Sequence, residues 1–295
     1  MIDKLEMFIA LANERHFSRA AQVCGVTQPT LSSAIRQLED QLGVQLVFRG
    51  SRFQGLTPEG QRVLDWARRI VGDMRALKDE MRTVHAGLSG NLRLGVIPTA
   101  LPSVAGLTTP LLARHPNLRI TILSRTSAEI LTGIESLELD AGITYLDNEP
   151  LGRVAQVPLY TEFYRFLCAP DNALARHPQV TWAEVSGERL CLLTADMQNR
   201  RIVDQHLAEA GTRAAPSVES NSTIVLVAHV QTGTFASVVP RKLAEMLTSS
   251  GTGLIALPIV APEVEHLVGL IAPRRDPQTP VIAALIEEAA RLAVL

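Results

Sequence analysis

Two sets of short polar side chains have the types and spacing to do chemistry. The first is Gln28, Thr30, Ser32, Ser33, Arg36 and Gln37. At helical spacing they lie opposite the apolar stripe Leu31, Ile35, Leu38 and Leu42. Compact hydrogen-bonding groups near a helix N-terminus, with an Arg a turn further on, suit the major groove of DNA. The side chains reach base edges while the helix N–H groups face phosphate. The second set is spread along the chain: Pro98-Thr99-Ala100, Ser127, Tyr145, Gln198-Asn199 and Asn221-Ser222. These fall at the ends of predicted strands or the starts of predicted helices, where backbone N–H groups and the helix dipole favour an anion. Hydroxyls and amides of this size fit a small polar or anionic ligand better than a large apolar one. The plainer readings are a solvated helix face for the first set and simple N-caps at Thr99, Ser127, Asn199 and Ser222 for the second.

Catalytic patterns are missing. The seven histidines are dispersed and lack metal-ligand spacing. The sequence has no Walker A motif and no G-x-S-x-G. Gly251-Thr252-Gly253-Leu254-Ile255-Ala256 matches a GxGxxA string but leads into a predicted strand over 254–259, so it reads as a turn. An enzyme is disfavoured, and neither cofactor nor metal is expected.

The first polar set needs a helix-turn-helix to position it. A short helix over 18–24 takes Ser18 as N-cap, and its Ala20 and Ala21 let a neighbour approach closely. Gly25-Val26 turns the chain. Thr27 caps the next helix, Pro29 sits in its first turn and Gly43 ends it. A preceding helix over 2–15 puts Leu5, Phe8, Ile9 and Ala12 on one face to pack beneath. Residues 44–48 read as a strand, Arg49-Gly50-Ser51-Arg52 as a basic turn and 53–56 as a returning strand. That is a wing, with Arg49 and Arg52 placed to touch backbone phosphate.

Thr57 and Pro58 then open a long helix reaching about residue 85. Val63, Ala67, Ile70, Met74, Leu77, Met81 and Val84 step by 4, 3, 4, 3, 4 and 3, the repeat of a coiled coil. Charged flanks make it a dimerisation helix, with Val63, Ile70, Met74, Leu77 and Met81 in the seam; the alternative is a helix packed on its own domain. Two heads held this way read two half-sites of an interrupted palindrome.

The formal net charge is −2 over 295 residues, so DNA binding rests on local arginines and dimerisation rather than a global field. Asp3, Lys4 and Glu6 interrupt the N-terminus, and no long apolar run suggests a signal peptide or membrane span; a cytoplasmic protein is expected. Cys24, Cys168 and Cys191 lack CxxC spacing and read as reduced thiols.

After the hinge Gly87-Leu88-Ser89-Gly90 the pattern becomes α/β. Strands over 91–97, 118–123 and 140–144 alternate with helices, a β-α-β-α-β parallel unit whose ligands bind at the strand carboxyl ends. A second unit starts near residue 163, with chain crossings near 160–163 and 265–268. It has strands over 165–169, 189–193, 218–220, 235–239 and 266–272, and helices over 198–210, 223–231, 241–247 and 279–292.

These residues resemble the LysR-type transcriptional regulators. The carrying motifs are Phe17-Ser18-Arg19-Ala20-Ala21, Thr27-Gln28-Pro29-Thr30-Leu31-Ser32, Ile35-Arg36-Gln37-Leu38-Glu39, Leu42-Gly43-Val44-Gln45-Leu46, Phe48-Arg49 and Leu56-Thr57-Pro58-Glu59-Gly60. The family often has a basic or amide residue after the Leu-Ser pair, where this chain has Ser33 and Ala34. The resemblance implies a winged helix-turn-helix over 1–60 and a linker helix over 61–87. It also implies an effector-binding domain over 88–295, similar to periplasmic solute-binding proteins. Lobe I of that domain spans about 88–162 and 268–295, and lobe II about 163–267. Arg19 joins Thr27 and Pro29 in the implied DNA-contacting set. The implied partners are a double-stranded operator, a small carboxylate or inorganic anion, a second dimer to form a tetramer, and RNA polymerase as a further candidate.

Within the family, Leu193-Thr194-Ala195-Asp196 with Glu219-Ser220-Asn221-Ser222 resembles regulators of small-anion metabolism such as the cyanate regulator. Ile97-Pro98-Thr99 also resembles peroxide-sensing members, but those carry a reactive cysteine where this chain has Gln198 and Asn199, which argues against a peroxide switch. A solute-binding protein with an accessory domain is the alternative from another class.

Overall fold

A computed structural model describes residues 1–48, 53–213 and 215–292. Arg49 and Arg52 lie outside the described residues. The chain forms two units: Met1–Ser89 with the short segments Glu135–Glu138 and Pro277–Pro280, and Gly90–Ile134 with Leu139–Asp276 and Val281–Leu295.

In the first unit, α1 (Ile2–Glu14), α2 (Phe17–Val23) and α3 (Gln28–Leu42) enclose a core with the first turns of α4 (Pro58–Ala86). Leu5, Phe8, Leu11, Ala20, Ala21, Leu31, Ile35, Leu38, Leu64, Ala67 and Val71 are buried there. Thr27 caps α3 by accepting from the Thr30 N–H at 3.4 Å, and Gly43 closes it in the left-handed region at φ 70°. Thr57 caps α4 from Oγ1, which accepts from the Gly60 N–H at 2.9 Å. Two expectations differ. Helix α2 starts at Phe17, because the Ala20 N–H already bonds the His16 carbonyl at 3.0 Å, so Ser18 is inside the helix rather than its cap. The wing segments pair antiparallel at Val47 with Leu56, where the Phe48 N–H bonds the Gly55 carbonyl at 3.2 Å and the Thr57 N–H the Leu46 carbonyl at 3.0 Å, a shorter pairing than two full strands.

In the second unit β1 (Gly90–Val96), β2 (Leu118–Ser124) and β3 (Ala141–Tyr145) are parallel, with α5 (Val104–Arg114) and α6 (Ser127–Glu135) between them. β3 is buried along its whole length, as a central strand covered on both faces should be. Gly142 permits this packing, since a Cβ there would overlap Ile130 of α6. β4 (Val154–Cys168) then runs 15 residues without a break. Its first part pairs antiparallel with β10 (Glu265–Pro273), and its last residues pair with β8 (Ser237–Pro240) and β9 (Ile255–Val260). The expectation placed a strand only from residue 165; successive partners along both halves supply the ladder bonds for the longer one.

The sheet order is β2-β1-β3-β10-β4-β9-β5, with β8 also on β4 and β5 at Val180–Thr181. β6 (Cys191–Leu193) and β7 (Val218–Ser220) form a small parallel pair. Helices α7 (Trp182–Ser186), α8 (Gln198–Glu209), α9 (Thr223–Val230) and α10 (Arg241–Ser249) fill the second lobe, and α11 (Pro280–Leu292) closes the chain. Helix α7 was not anticipated, although its capping box, Thr181 with Glu184, is legible as T-x-x-E. Among the described residues no helix is long and apolar enough to cross a membrane.

Candidate functional site

The polar face of α3 is open to solvent. Thr27, Gln28, Pro29, Thr30, Ser33, Arg36 and Gln37 are exposed and Ser32 is half-buried. The buried stripe Leu31, Ile35 and Leu38 fixes that orientation. The Ser18 hydroxyl donates to Gln28 Oε1 at 3.4 Å, and Gln37 Nε2 to Ser33 Oγ at 3.4 Å. Arg19 is exposed and ion-paired with Glu14 at 3.2 Å. On α4, Ala67 belongs to the unit's own core and Val63 packs against it. The outward apolar residues are Trp66, Ile70, Leu77 and Met81, with Met74 half-buried.

In the second unit, Pro98, Thr99, Ser127, Tyr145, Gln198 and Asn199 converge on one pocket, completed by Ile97, Leu193 and Met197. Its free space has room for about one water molecule. Ala100 is buried beside Thr99 but does not line the pocket, and Asn221 (exposed) and Ser222 (half-buried) lie outside its lining.

None of the four suspected caps works as a side-chain cap. After Thr99 the chain makes a 3-10 turn, Leu101–Ser103, and α5 begins only at Val104. Helix α6 is capped by Thr126, which accepts from the Glu129 N–H at 3.1 Å, leaving the Ser127 Oγ to accept from the Thr144 hydroxyl at 2.9 Å. Helix α8 has Met197 at its N-cap and α9 has Ser222, neither with a side-chain capping bond. The first backbone bond of α8 runs from the Arg201 N–H to the Met197 carbonyl at 3.2 Å, so the N–H groups of Gln198, Asn199 and Arg200 have no acceptor within the helix.

Behind the pocket lies a buried polar cluster that the sequence did not reveal. Tyr145 Oη accepts from Asn199 Nδ2 at 3.1 Å, shares a 3.4 Å bond with the Thr99 hydroxyl and accepts from Tyr164 Oη at 3.4 Å. It donates to Glu162 Oε1 in a short hydrogen bond. Burial pushes the Glu162 carboxyl up to about 7, against the lowering effect of the Tyr145 bond and the Lys242 charge. Burial and the neighbouring carboxylate also hold Tyr145 and Tyr164 well above the ordinary phenol range. Gln198 Nε2 donates to the Asp147 carbonyl at 3.1 Å, while its buried Oε1 has no partner. Burial pushes the thiols of Cys168 and Cys191 up to about 11 each.

The chain matches known families over nearly its whole length. Residues 2–61 match the bacterial regulatory helix-turn-helix protein, lysR family, and residues 85–293 the LysR substrate binding domain. It is 32% identical over 271 residues to the DNA-binding transcriptional dual regulator OxyR of Escherichia coli K12, covering 92% of this chain and 88% of that protein. It is 31% identical over 271 residues to the hydrogen peroxide-inducible genes activator of Dickeya chrysanthemi, covering 92% of this chain and 88% of that one. Full-length OxyR from Pseudomonas aeruginosa, a cysteine-to-aspartate variant, superposes with a TM-score of 0.77 at 24% identity over 98% of this chain and 94% of that one. Full-length CbnR in complex with its target DNA gives 0.64 at 22% identity over 99% and 100%. The structural likenesses speak to fold alone; the two domain matches, in this order and to this extent, make the chain a member of the LysR family of DNA-binding transcriptional regulators.

Proposed function

We propose that this regulator reads its operator with the exposed face of α3 and is controlled by a small effector, by preference an inorganic anion or small carboxylate, held in the Thr99–Asn199 pocket, which widens from its one-water size to admit it. One observation carries the reading: the pocket draws Thr99, Ser127 and Tyr145 from one lobe and Gln198 and Asn199 from the other. Occupancy then biases the relative pose of the lobes, and coupling between such sites is typically worth about 1–3 kcal/mol. The N–H groups at the start of α8 supply positive potential without a charged side chain in the lining. Arg19, Thr27, Gln28, Pro29, Thr30, Ser32, Ser33 and Arg36 make the DNA contacts, with Arg49 and Arg52 on the wing. Val63, Ile70, Met74, Leu77 and Met81 join two copies, and two dimers form the working tetramer. The protein acts on DNA in the cytoplasm, with RNA polymerase as its further partner.

The curated relatives include hydrogen peroxide-inducible activators. The reading for this chain is reversible binding rather than thiol oxidation. Helix α8 opens on Gln198 and Asn199, and both buried thiols are held in their unreactive protonated form. The relatives found are OxyR-like and do not bear out the cyanate-type comparison, so the small-anion reading rests on the pocket.

Thermal-shift screening of inorganic anions and small carboxylates tests this, followed by calorimetry on variants. Thr99→Val removes one hydroxyl at nearly constant volume and should weaken binding by about 1–2 kcal/mol. Thr99→Trp fills the pocket and should abolish the response while DNA binding persists. Normal ligand affinity in the tryptophan variant would place the effector site elsewhere.

A further inference from the structure

Glu162 is 3% exposed, and its Oε2 has no hydrogen-bond partner. Its Oε1 takes the Tyr145 hydroxyl proton, and the same Tyr145 oxygen touches Thr99 and Asn199 of the pocket. Thus a carboxyl stands one hydroxyl away from where the effector would sit. An ionised carboxylate in that position repels an anion across a poorly hydrated gap, where like charges interact strongly.

Burial outweighs the help that the groups facing Glu162 give its charge. Tyr145 comes from β3, and Tyr160 and Tyr164 come from β4 itself. Asp147, on the segment after β3, adds negative charge. His266 sits opposite Glu162 in the β4–β10 ladder, with His206 of α8 behind it. Lys242 of α10 is the facing cation, and its ammonium lies over the Tyr160 ring, 3.6 Å from the centroid.

We propose that ligand capture is proton-coupled: a small anion entering the Thr99–Asn199 pocket is accompanied by one proton from solvent, which the Glu162 carboxyl holds. Charge balances within the closed site, since one anion and one proton enter together. This rests on the reading of the pocket as the effector site. The carboxyl's position near 7 places the coupling in the physiological range. The bound anion raises it further, so uptake grows as the pH rises above about 7.

The test is calorimetry on the full chain with sodium nitrate, whose anion cannot itself hold a proton in water. Sodium formate serves as a second anion and formamide as a neutral control. Titrations in two buffers of different ionisation enthalpy count the protons taken up. With nitrate, uptake should approach one proton per anion at about pH 8.5 and fall below half at about pH 6, and affinity should weaken about tenfold per pH unit above about 7. Glu162→Gln keeps the acceptor for Tyr145; it should abolish uptake, flatten the pH dependence and bind nitrate more tightly than the parent at high pH. Nitrate binding without uptake, or uptake that survives in Glu162→Gln, overturns the proposal. Should that variant fail to fold, infrared difference spectra of the parent decide: a new protonated-carboxyl band on adding nitrate supports the proposal, and its absence overturns it. If formamide binds and neither anion does, the anion reading of the pocket fails and takes the inference with it.

Discussion

His206 and His266 face each other Nε2 to Nε2 at 3.2 Å, joining α8 to the first residues of β10. Their outer nitrogens fix the tautomers. His206 Nδ1 lies 2.9 Å from Glu209 Oε2, an acceptor, so it carries the proton and its Nε2 presents a lone pair. His266 Nε2 therefore donates, and its Nδ1 accepts from the Asn148 amide at 2.8 Å. One arrangement of two neutral rings satisfies all four nitrogens. A second proton on His266 breaks it: the Asn148 amide must turn away, and Nδ1–H must find Asp147 Oδ2, now 3.4 Å distant.

The pair makes the fold sensitive to acid in a definite direction. Burial holds His266 below its ordinary value, against the opposing pull of Asp147. The folded state therefore prefers the neutral ring. This contribution is fully present above the unfolded value, about 6.5, and is lost as the pH falls. Glu162, raised to about 7, acts with the opposite sign, so the parent curve alone does not separate them. The stability difference between parent and His266→Gln should shrink as the pH drops from about 7.5 to about 5. Urea unfolding across that range checks it, and a constant difference would rule out the neutral pair.

Cysteine chemistry gives a second expectation. With thiols near 11, roughly one molecule in ten thousand carries a thiolate at either Cys168 or Cys191 at neutral pH. A thiol-specific reagent should titrate Cys24 first and reach the other two only on unfolding. Peroxide should leave operator affinity unchanged, and Cys168→Ser and Cys191→Ser should respond to the effector as the parent does. A peroxide-induced disulfide in native protein would restore the thiol switch.

Arg36 projects from the exposed face of α3, about one turn beyond Ser33 and about two beyond Gln28 and Thr30. Its loss should weaken operator binding by about 1–3 kcal/mol if the guanidinium takes a guanine edge in both of its bonds. Ligand binding to the second unit should be untouched. Gel-shift titration at fixed salt measures the first and calorimetry the second. Unchanged DNA affinity in Arg36→Ala would remove α3 from the groove.

Local chemistry made part of this structure legible. Thr27, Pro29 and Gly43 bound α3 because caps, first-turn prolines and left-handed glycines act within one turn of chain. That Thr99, Ser127, Tyr145, Gln198 and Asn199 would gather at one pocket was legible because strand ends and helix starts can be located from periodicity. The plainer reading of Ser127 as a cap misses by one residue, since Thr126 and Ser127 are both competent and only the Glu129 N–H decides. Asn221 and Ser222 looked equivalent to Gln198 and Asn199, yet their placement depends on β6 and β7 pairing apart from the main sheet. Glu162 and the two histidines gave no signal. Their neighbours are set by the register of β4 on β10, which joins segments about a hundred residues apart.

Helix α4 has two faces with different neighbours. Leu64, 3% exposed, is part of the core of the first unit, whereas Ile70 and Leu77, 43% and 50% exposed, point away from it. Leu64→Ala should destabilise the N-terminal head by about 2–4 kcal/mol through the cavity it leaves, without altering the mass in solution. Leu77→Asp or Ile70→Asp should leave the head folded, because neither side chain contributes to its core. In a seam between two copies, however, the aspartate would be an unpaired charge in apolar surroundings, and the dimer should fall apart. Sedimentation velocity gives the mass, and thermal unfolding of the head gives its stability. Loss of dimer with an unaltered head is the expected result for the aspartate variants. A dimer that survives Leu77→Asp and Ile70→Asp would mean that this stripe is not where two copies meet, and the argument for paired half-sites would need another interface.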